Sequence, residues 1–122
     1  MYDITVEVNF SASHFLRDYQ GKCENLHGHN WKVEVTATSA NLDDKGMALD
    51  FAVLKKMARE CVGQFDHAHL NDLPEFKELN PTTENIARMI FRHLSREVNC
   101  DSVRMNRVTV SETEGSYASY RE

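Results

Sequence analysis

Residues 27–38 read "HGHNWKVEVTAT", and the alternation of its side chains decides what kind of fold the chain can adopt. Trp31, Val33 and Val35 are apolar while Lys32, Glu34 and Thr36 are polar, the period of a half-buried strand. In a strand, residues i and i+2 share a face, whereas in a helix they diverge by roughly 200°. His27 and His29 therefore project to the same side as the apolar face. Their Cα positions are about 6.6 Å apart along a strand, so both imidazoles can reach one ion at the ~2 Å metal–nitrogen distance.

Toward the N-terminus, Tyr2, Ile4, Val6, Val8 and Phe10 alternate with Asp3, Thr5, Glu7 and Asn9, which opens the chain with another strand. A polar stretch carrying His14 and Cys23 joins the two. Toward the C-terminus, "NLDDKG" reads as a turn with Gly46 suited to a positive φ, and "MALDF" as a short returning strand. Asp50 is placed to cap a helix in which Phe51, Leu54, Ala58, Cys61 and Phe65 recur at helical spacing. The connection "FDHAHLNDLPEFKELNP" holds both prolines. Pro81, Thr82, Thr83 and Glu84 then start a second helix, with Asn80 or a threonine as cap and Ile86, Ile90, Leu94 and Val98 as its apolar stripe. The last third, "SVRMNRVTVSETEGSYASYRE", is two strands around Glu114 and Gly115.

The order is ββααββ in one domain, residues 1–122. It predicts an α+β fold, a four-stranded antiparallel sheet with both helices on one face. The other face must be solvated or covered by another subunit, and so small a sheet has exposed edges that invite pairing. An oligomer is expected.

With 122 residues the chain can bury a core without disulfide or metal staples. A net charge of −5 argues against nucleic acid or an anionic membrane as the main partner, so an anionic substrate would need a local positive site. The alternating N-terminus resembles neither a signal peptide nor a transmembrane segment. Cys23, Cys61 and Cys100 are odd in number and widely spaced, a poor disulfide framework that fits a reducing cytoplasm.

For an HxH pair alone, separate surface or core histidines are the plainer reading. His14, just past the first strand, sits beside His27 and His29 if the two strands pair, and it would close a triad. Three neutral histidines leave the ion its full charge and one open position, the arrangement of a catalytic zinc. Cys23 fits three roles: a fourth ligand in a closed structural site, a small buried hydrophobe, or a base or nucleophile whose thiol a nearby dication acidifies. Cys61 belongs to the helix stripe, and Cys100 lies in a turn.

A second HxH pair, His67 and His69, has no obvious third ligand. Asp66 with His67 suits proton transfer, because a carboxylate can orient an imidazole and stabilise its protonated form; the alternative is a polar loop with Asp66 as a cap. His93, on the polar side of the second helix, reads as solvated. Glu112 follows Val108 and Val110 at period two, so in a strand without a bulge it points to their face, where a carboxylate is costly unless paired. It could accept two hydrogen bonds side by side from the amidine-like edge of a heterocycle, or be an exposed acid at a strand end.

The segments "FSASHFL", "KCENLHGHN", "FDHAHLND", "NPTTENIA" and "SET", in this order over nearly the whole chain, resemble the 6-pyruvoyltetrahydropterin synthase family, and within it the bacterial carboxy-forming branch. The resemblance implies the tunnelling fold, whose subunits join sheets into a trimeric barrel and stack as hexamers with active sites between subunits. It implies Zn2+ held by His14, His27 and His29, Cys23 as proton acceptor, and His67 with Asp66 behind it as second member of a proton relay. Glu112 would hold the pterin ring and join that relay, and Thr82 and Thr83 would lie near the pterin pocket. The implied activity is a lyase that turns 7,8-dihydroneopterin triphosphate into 6-carboxy-5,6,7,8-tetrahydropterin, acetaldehyde and triphosphate, in queuosine and 7-deazapurine biosynthesis in the cytoplasm.

Three residues, Glu24, Asn25 and Leu26, separate Cys23 from His27, as in the carboxy-forming enzymes. The pyruvoyl-forming enzymes have a longer gap, and a folate-linked branch has glutamate in place of the cysteine. Two other readings stand beside this one: a pyruvoyl-forming synthase of the same fold, and a non-catalytic zinc module in which Cys23 is a ligand.

Overall fold

The computed structural model describes residues 1–21 and 24–122. The two long strands are β1 (Tyr2–His14) and β2 (His27–Ser39), paired antiparallel from Tyr2 opposite Ser39 to His14 opposite His27. α1 (Phe51–Gly63) and α2 (Thr83–Val98) follow, with a two-residue strand β3 (Ala68–His69) between them. β4 (Val103–Thr113) and β5 (Ser116–Tyr120) form the closing hairpin. The fold is α+β, and the sheet runs β3-β1-β2-β4-β5.

This sheet corrects the expected one in two ways. It has five strands, and it is mixed, because β3 lies parallel to β1 with Ala12 opposite Ala68 and Ser13 opposite His69. Two residues are too few to carry an alternation, so nothing in the pattern announces β3. "MALDF" is not a strand. Asp43 accepts from the amides of Lys45 and Met47, the Asp43 amide in turn donates to the Met47 carbonyl, and Gly46 has φ 84°. That compact turn leads directly into α1, whose first residue is Phe51.

The core lies on one face of the sheet under both helices. Ile4, Val6, Val8 and Phe10 of β1, Trp31, Val33 and Val35 of β2, and Val108 and Val110 of β4 are buried against Leu54, Ala58 and Cys61 of α1 and Ile86, Ile90 and Leu94 of α2. Phe51 departs from the expected helix stripe: at the first turn of α1 it is 63% exposed, and Val62 takes a buried place instead. Asp50 caps α1 by accepting from the Ala52 amide, and Thr82 caps α2 by accepting from the Asn85 amide. No helix among the described residues is long and apolar enough to cross a membrane.

Candidate active site

The β1–β2 register assembles the three histidines. His14 stands opposite His27, and His29 stands opposite Ala12 two residues along. The ring centroids of His14 lie 4.6 Å from His27 and 5.4 Å from His29, and those of His27 and His29 are 4.8 Å apart. Trp31, wholly buried, presents its ring edge-on to both His14 and His29 and donates its indole N–H to the Ala12 carbonyl at 3.2 Å.

Backbone carbonyls orient two of the rings. His14 Nδ1 lies 2.8 Å from the Pro81 carbonyl oxygen, and His27 Nδ1 lies 2.8 Å from that of Asn25. A carbonyl can only accept, so each Nδ1 carries a proton, which in the neutral ring leaves the lone pair on Nε2, the tautomer a metal ligand needs. The Nε2 atoms of His14 and His29 are buried with no hydrogen-bond partner among the described residues. A native interior leaves few such atoms unsatisfied. Burial also holds His29 below the ordinary imidazole value, against the pull of the Glu112 carboxylate and with added repulsion from His27 and His14. A ring kept neutral is one able to ligate.

Glu112 closes the group. Its Oε1 lies 2.7 Å from His29 Nε2, 3.4 Å from His14 Nε2 and 3.7 Å from His27 Nε2. One ligand atom from each of the four residues falls within 4.8 Å of the others. The strand does not reach Glu112 in unbroken register: pairing with β5 shifts between Ser111 and Thr113, and Val110 and Ser111 are buried in succession. This bulge breaks the regular alternation assumed for Glu112, and the side chain still turns to the histidine group, as bulges beside functional sites re-aim side chains. Two unpartnered buried Nε2 atoms, a third Nε2 and a carboxylate oxygen form a donor set that fits zinc.

Asp66 and His67 are tied to β1 at one residue. Asp66 Oδ1 accepts from the Ser11 amide at 2.9 Å, and the His67 amide donates to the Ser11 carbonyl at 2.6 Å. The Ser11 amide is the chief cause holding the Asp66 carboxyl below its ordinary range, so it stays charged beside His67 Nδ1, 3.1 Å from its Oδ2. His67 has φ 57°, and its side chain is 84% exposed. It lines an open cleft of about 500 Å³ together with His29, Ser13, Asn30 and His69. His69 bonds Ser13 Oγ through Nδ1 at 3.1 Å and stacks on Phe15.

Of the remaining expected residues, Thr82 spends its hydroxyl as an acceptor in the α2 cap, and Thr83 is the first residue of that helix. Both follow the Pro81 carbonyl that orients His14. Cys23 lies outside the described residues. Arg17, near the site in sequence, turns its guanidinium to the carbonyls of Phe76 and Leu79. His93 pairs with Glu97 on the outer side of α2. Sequence reasoning missed Trp31 as the floor of the histidine group and the carbonyls of Pro81 and Asn25. It also missed Asn71, which accepts from the Phe15 amide and donates to the Phe15 carbonyl. A buried Asn and a Trp at a strand's apolar end were available as signals; backbone carbonyls give none.

The sequence pattern described as 6-pyruvoyl tetrahydropterin synthase matches residues 3–122. The chain belongs to the 6-pyruvoyl tetrahydropterin synthase family. Among relatives, the 6-carboxy-5,6,7,8-tetrahydropterin synthase of Bacillus subtilis is 33% identical, covering 98% of this chain and 85% of that protein. The 6-pyruvoyl tetrahydrobiopterin synthase of Dictyostelium discoideum is 35% identical, covering 92% and 90%. The solved structure of Caenorhabditis elegans 6-pyruvoyl tetrahydropterin synthase superposes with a TM-score of 0.82 at 31% identity, covering 100% of this chain and 97% of that one. Family members similar to this chain thus carry both carboxy and pyruvoyl names.

Proposed function

We propose that this chain is a zinc-dependent lyase that converts 7,8-dihydroneopterin triphosphate into 6-carboxy-5,6,7,8-tetrahydropterin, acetaldehyde and triphosphate, on the route to queuosine. The observation that carries the reading is the convergence of His14, His27 and His29, with the Nε2 atoms of His14 and His29 buried and unpartnered among the described residues. Zinc held there supplies Lewis acidity toward the oxygens of the substrate side chain. Cys23, next in sequence to this group, takes a carbon-bound proton on its thiolate sulfur. The carboxylate of Asp66 faces His67 Nδ1, which leaves Nε2 of that ring to return a proton elsewhere on the substrate. Glu112 accepts the paired N–H groups of the pterin ring.

The three-residue spacing between Cys23 and His27 and the Bacillus relative favour the carboxy product. A pyruvoyl-forming synthase is the second reading, favoured by the Dictyostelium relative of similar identity. We place the enzyme in the cytoplasm as a trimer or a hexamer of two trimers, with sites between subunits. The test is product identification on zinc-loaded protein given 7,8-dihydroneopterin triphosphate. Trapped acetaldehyde supports the carboxy reading, and a diketo pterin the second. Neither product with full zinc overturns both. Zinc content of Cys23→Ala separates base from ligand: near one ion per chain for a base, loss of metal for the non-catalytic module.

A further inference from the structure

We infer that Glu112 is itself a metal ligand: in the resting site its carboxylate completes the set begun by His14, His27 and His29, and substrate takes its place. The inference rests on the zinc reading above and changes what Glu112 does there. Ligand atoms about 2.0–2.1 Å from a tetrahedral zinc stand roughly 3.3–3.4 Å from one another. Glu112 Oε1 lies 3.4, 3.7 and 2.7 Å from the Nε2 atoms of His14, His27 and His29, a spread about that spacing. One oxygen meets all three rings, as a shared centre requires.

The alternative is a carboxylate held by hydrogen bonds from the imidazoles, and His29, at the shortest contact, is the ring within reach of such a bond. Oε1 comes within 2.7 Å of His29 Nε2, while His14 Nε2 has no hydrogen-bond partner among the described residues. A bond to one ring does not account for the same oxygen's approach to the other two, at 3.4 and 3.7 Å, which a common cation does. His14 adds a second argument: with Nδ1 given to the Pro81 carbonyl, a neutral ring has no proton on Nε2 to offer Glu112. The bulge between Ser111 and Thr113 supplies the means, a local break in β4 that delivers the carboxylate to the open corner of the triad.

A consequence follows for selectivity. A carboxylate ligand cancels half of the ion's charge in the resting site, and a carboxylate on the ion is not free to accept the donor pair of a heterocycle. Only a molecule that offers both an oxygen to the ion and paired N–H donors to the released carboxylate can open the site. Simple phosphates or diols, lacking the donor pair, are disfavoured.

The test is zinc affinity by competition with a chromophoric chelator for wild type, Glu112→Gln and Glu112→Ala, with circular dichroism of each metal-free protein as the folding control. Loss of a ligand is expected to weaken zinc binding about tenfold or more in Glu112→Ala, and less in Glu112→Gln, whose amide oxygen remains a weak donor. Cobalt-substituted wild type should show the intense visible bands of a four-coordinate site, altered in both variants and altered again when a pterin is added to wild type. Equal zinc affinities with unchanged cobalt spectra in folded variants overturn the inference while leaving the zinc lyase standing. Wild type that binds no zinc overturns both, and turnover by wild type decides the activity separately.

Discussion

His14 and His27 receive the same instruction from different parts of the chain, one from the carbonyl ahead of α2 and one from the carbonyl two residues before it. The site is therefore built from residues of β1, β2, the α2 entry and β4, and its precision depends on how these meet. The cysteines give a sharp residue-scale prediction. Burial pushes the Cys61 thiol up to about 12, whereas hydrogen bonds with Ser102 bring exposed Cys100 below its ordinary value. At about pH 8 the thiolate fraction, and so the alkylation rate, should be far greater at Cys100. Peptide mapping after a short iodoacetamide pulse on native protein should find Cys100 modified and Cys61 spared until denaturant is added; equal labelling would refute the assignment. The sign for stability follows. An unfolded Cys61 releases its proton near 9.0 while the folded one holds it to about 12, so its contribution is complete below the first value and declines as pH rises toward the second. The histidine group was legible because a strand's period of two fixes which side chains share a face. The carbonyls that orient the rings were not, since every residue has one.

At the level of elements, the caps were readable and the irregular pieces were not. Asp50 and Thr82 lie where a polar oxygen before an apolar helical repeat belongs, and both accept a helix amide. β3 is too short to leave a pattern, and "MALDF" alternates like a strand while the Asp43 turn ahead of it and the Asp50 cap within it claim the same residues. The bulge in β4 likewise follows from pairing with β5, which no single strand announces. Thr82 offers a test of element against site. If its hydroxyl serves chiefly as the α2 cap, Thr82→Ala should cost about 1 kcal/mol of stability, read from denaturant midpoints at unchanged slope. Thr83→Ala, one position inside the helix, should leave the midpoint nearly unmoved. A midpoint equal to wild type in Thr82→Ala would show that the cap bond is dispensable.

For the molecule as a whole, the question is what meets the sheet beyond this chain. The face away from the helices is polar, with Lys32 between Glu7 and Glu34 and with Arg107 and Thr109 beside them, so it calls for water rather than a second apolar layer. The edges are different. From Tyr2 to Phe10 the outer side of β1 has no strand partner among the described residues, and the outer side of β5 has none either. Such edges pair with other chains unless blocked, which agrees with the proposed barrel of joined sheets. Ser11 shows which groups point outward, since its amide meets Asp66 and its carbonyl meets the His67 amide on that side. Backbone direction alternates along a strand, so Asn9, Glu7, Thr5 and Asp3 also direct their amides outward while the residues between them bond to β2. Glu7→Pro thus removes an outward donor and leaves the β1–β2 ladder intact, a position where an edge strand tolerates proline. Light scattering coupled to size exclusion should give wild type a mass three or six times the 14.0 kDa of the chain. Glu7→Pro should move toward one chain with its circular dichroism preserved and its turnover lost, as the proposed placement of the sites between subunits requires. A wild-type protein that runs as a monomer, or a variant whose mass does not change, would remove the joined-sheet assembly from the account.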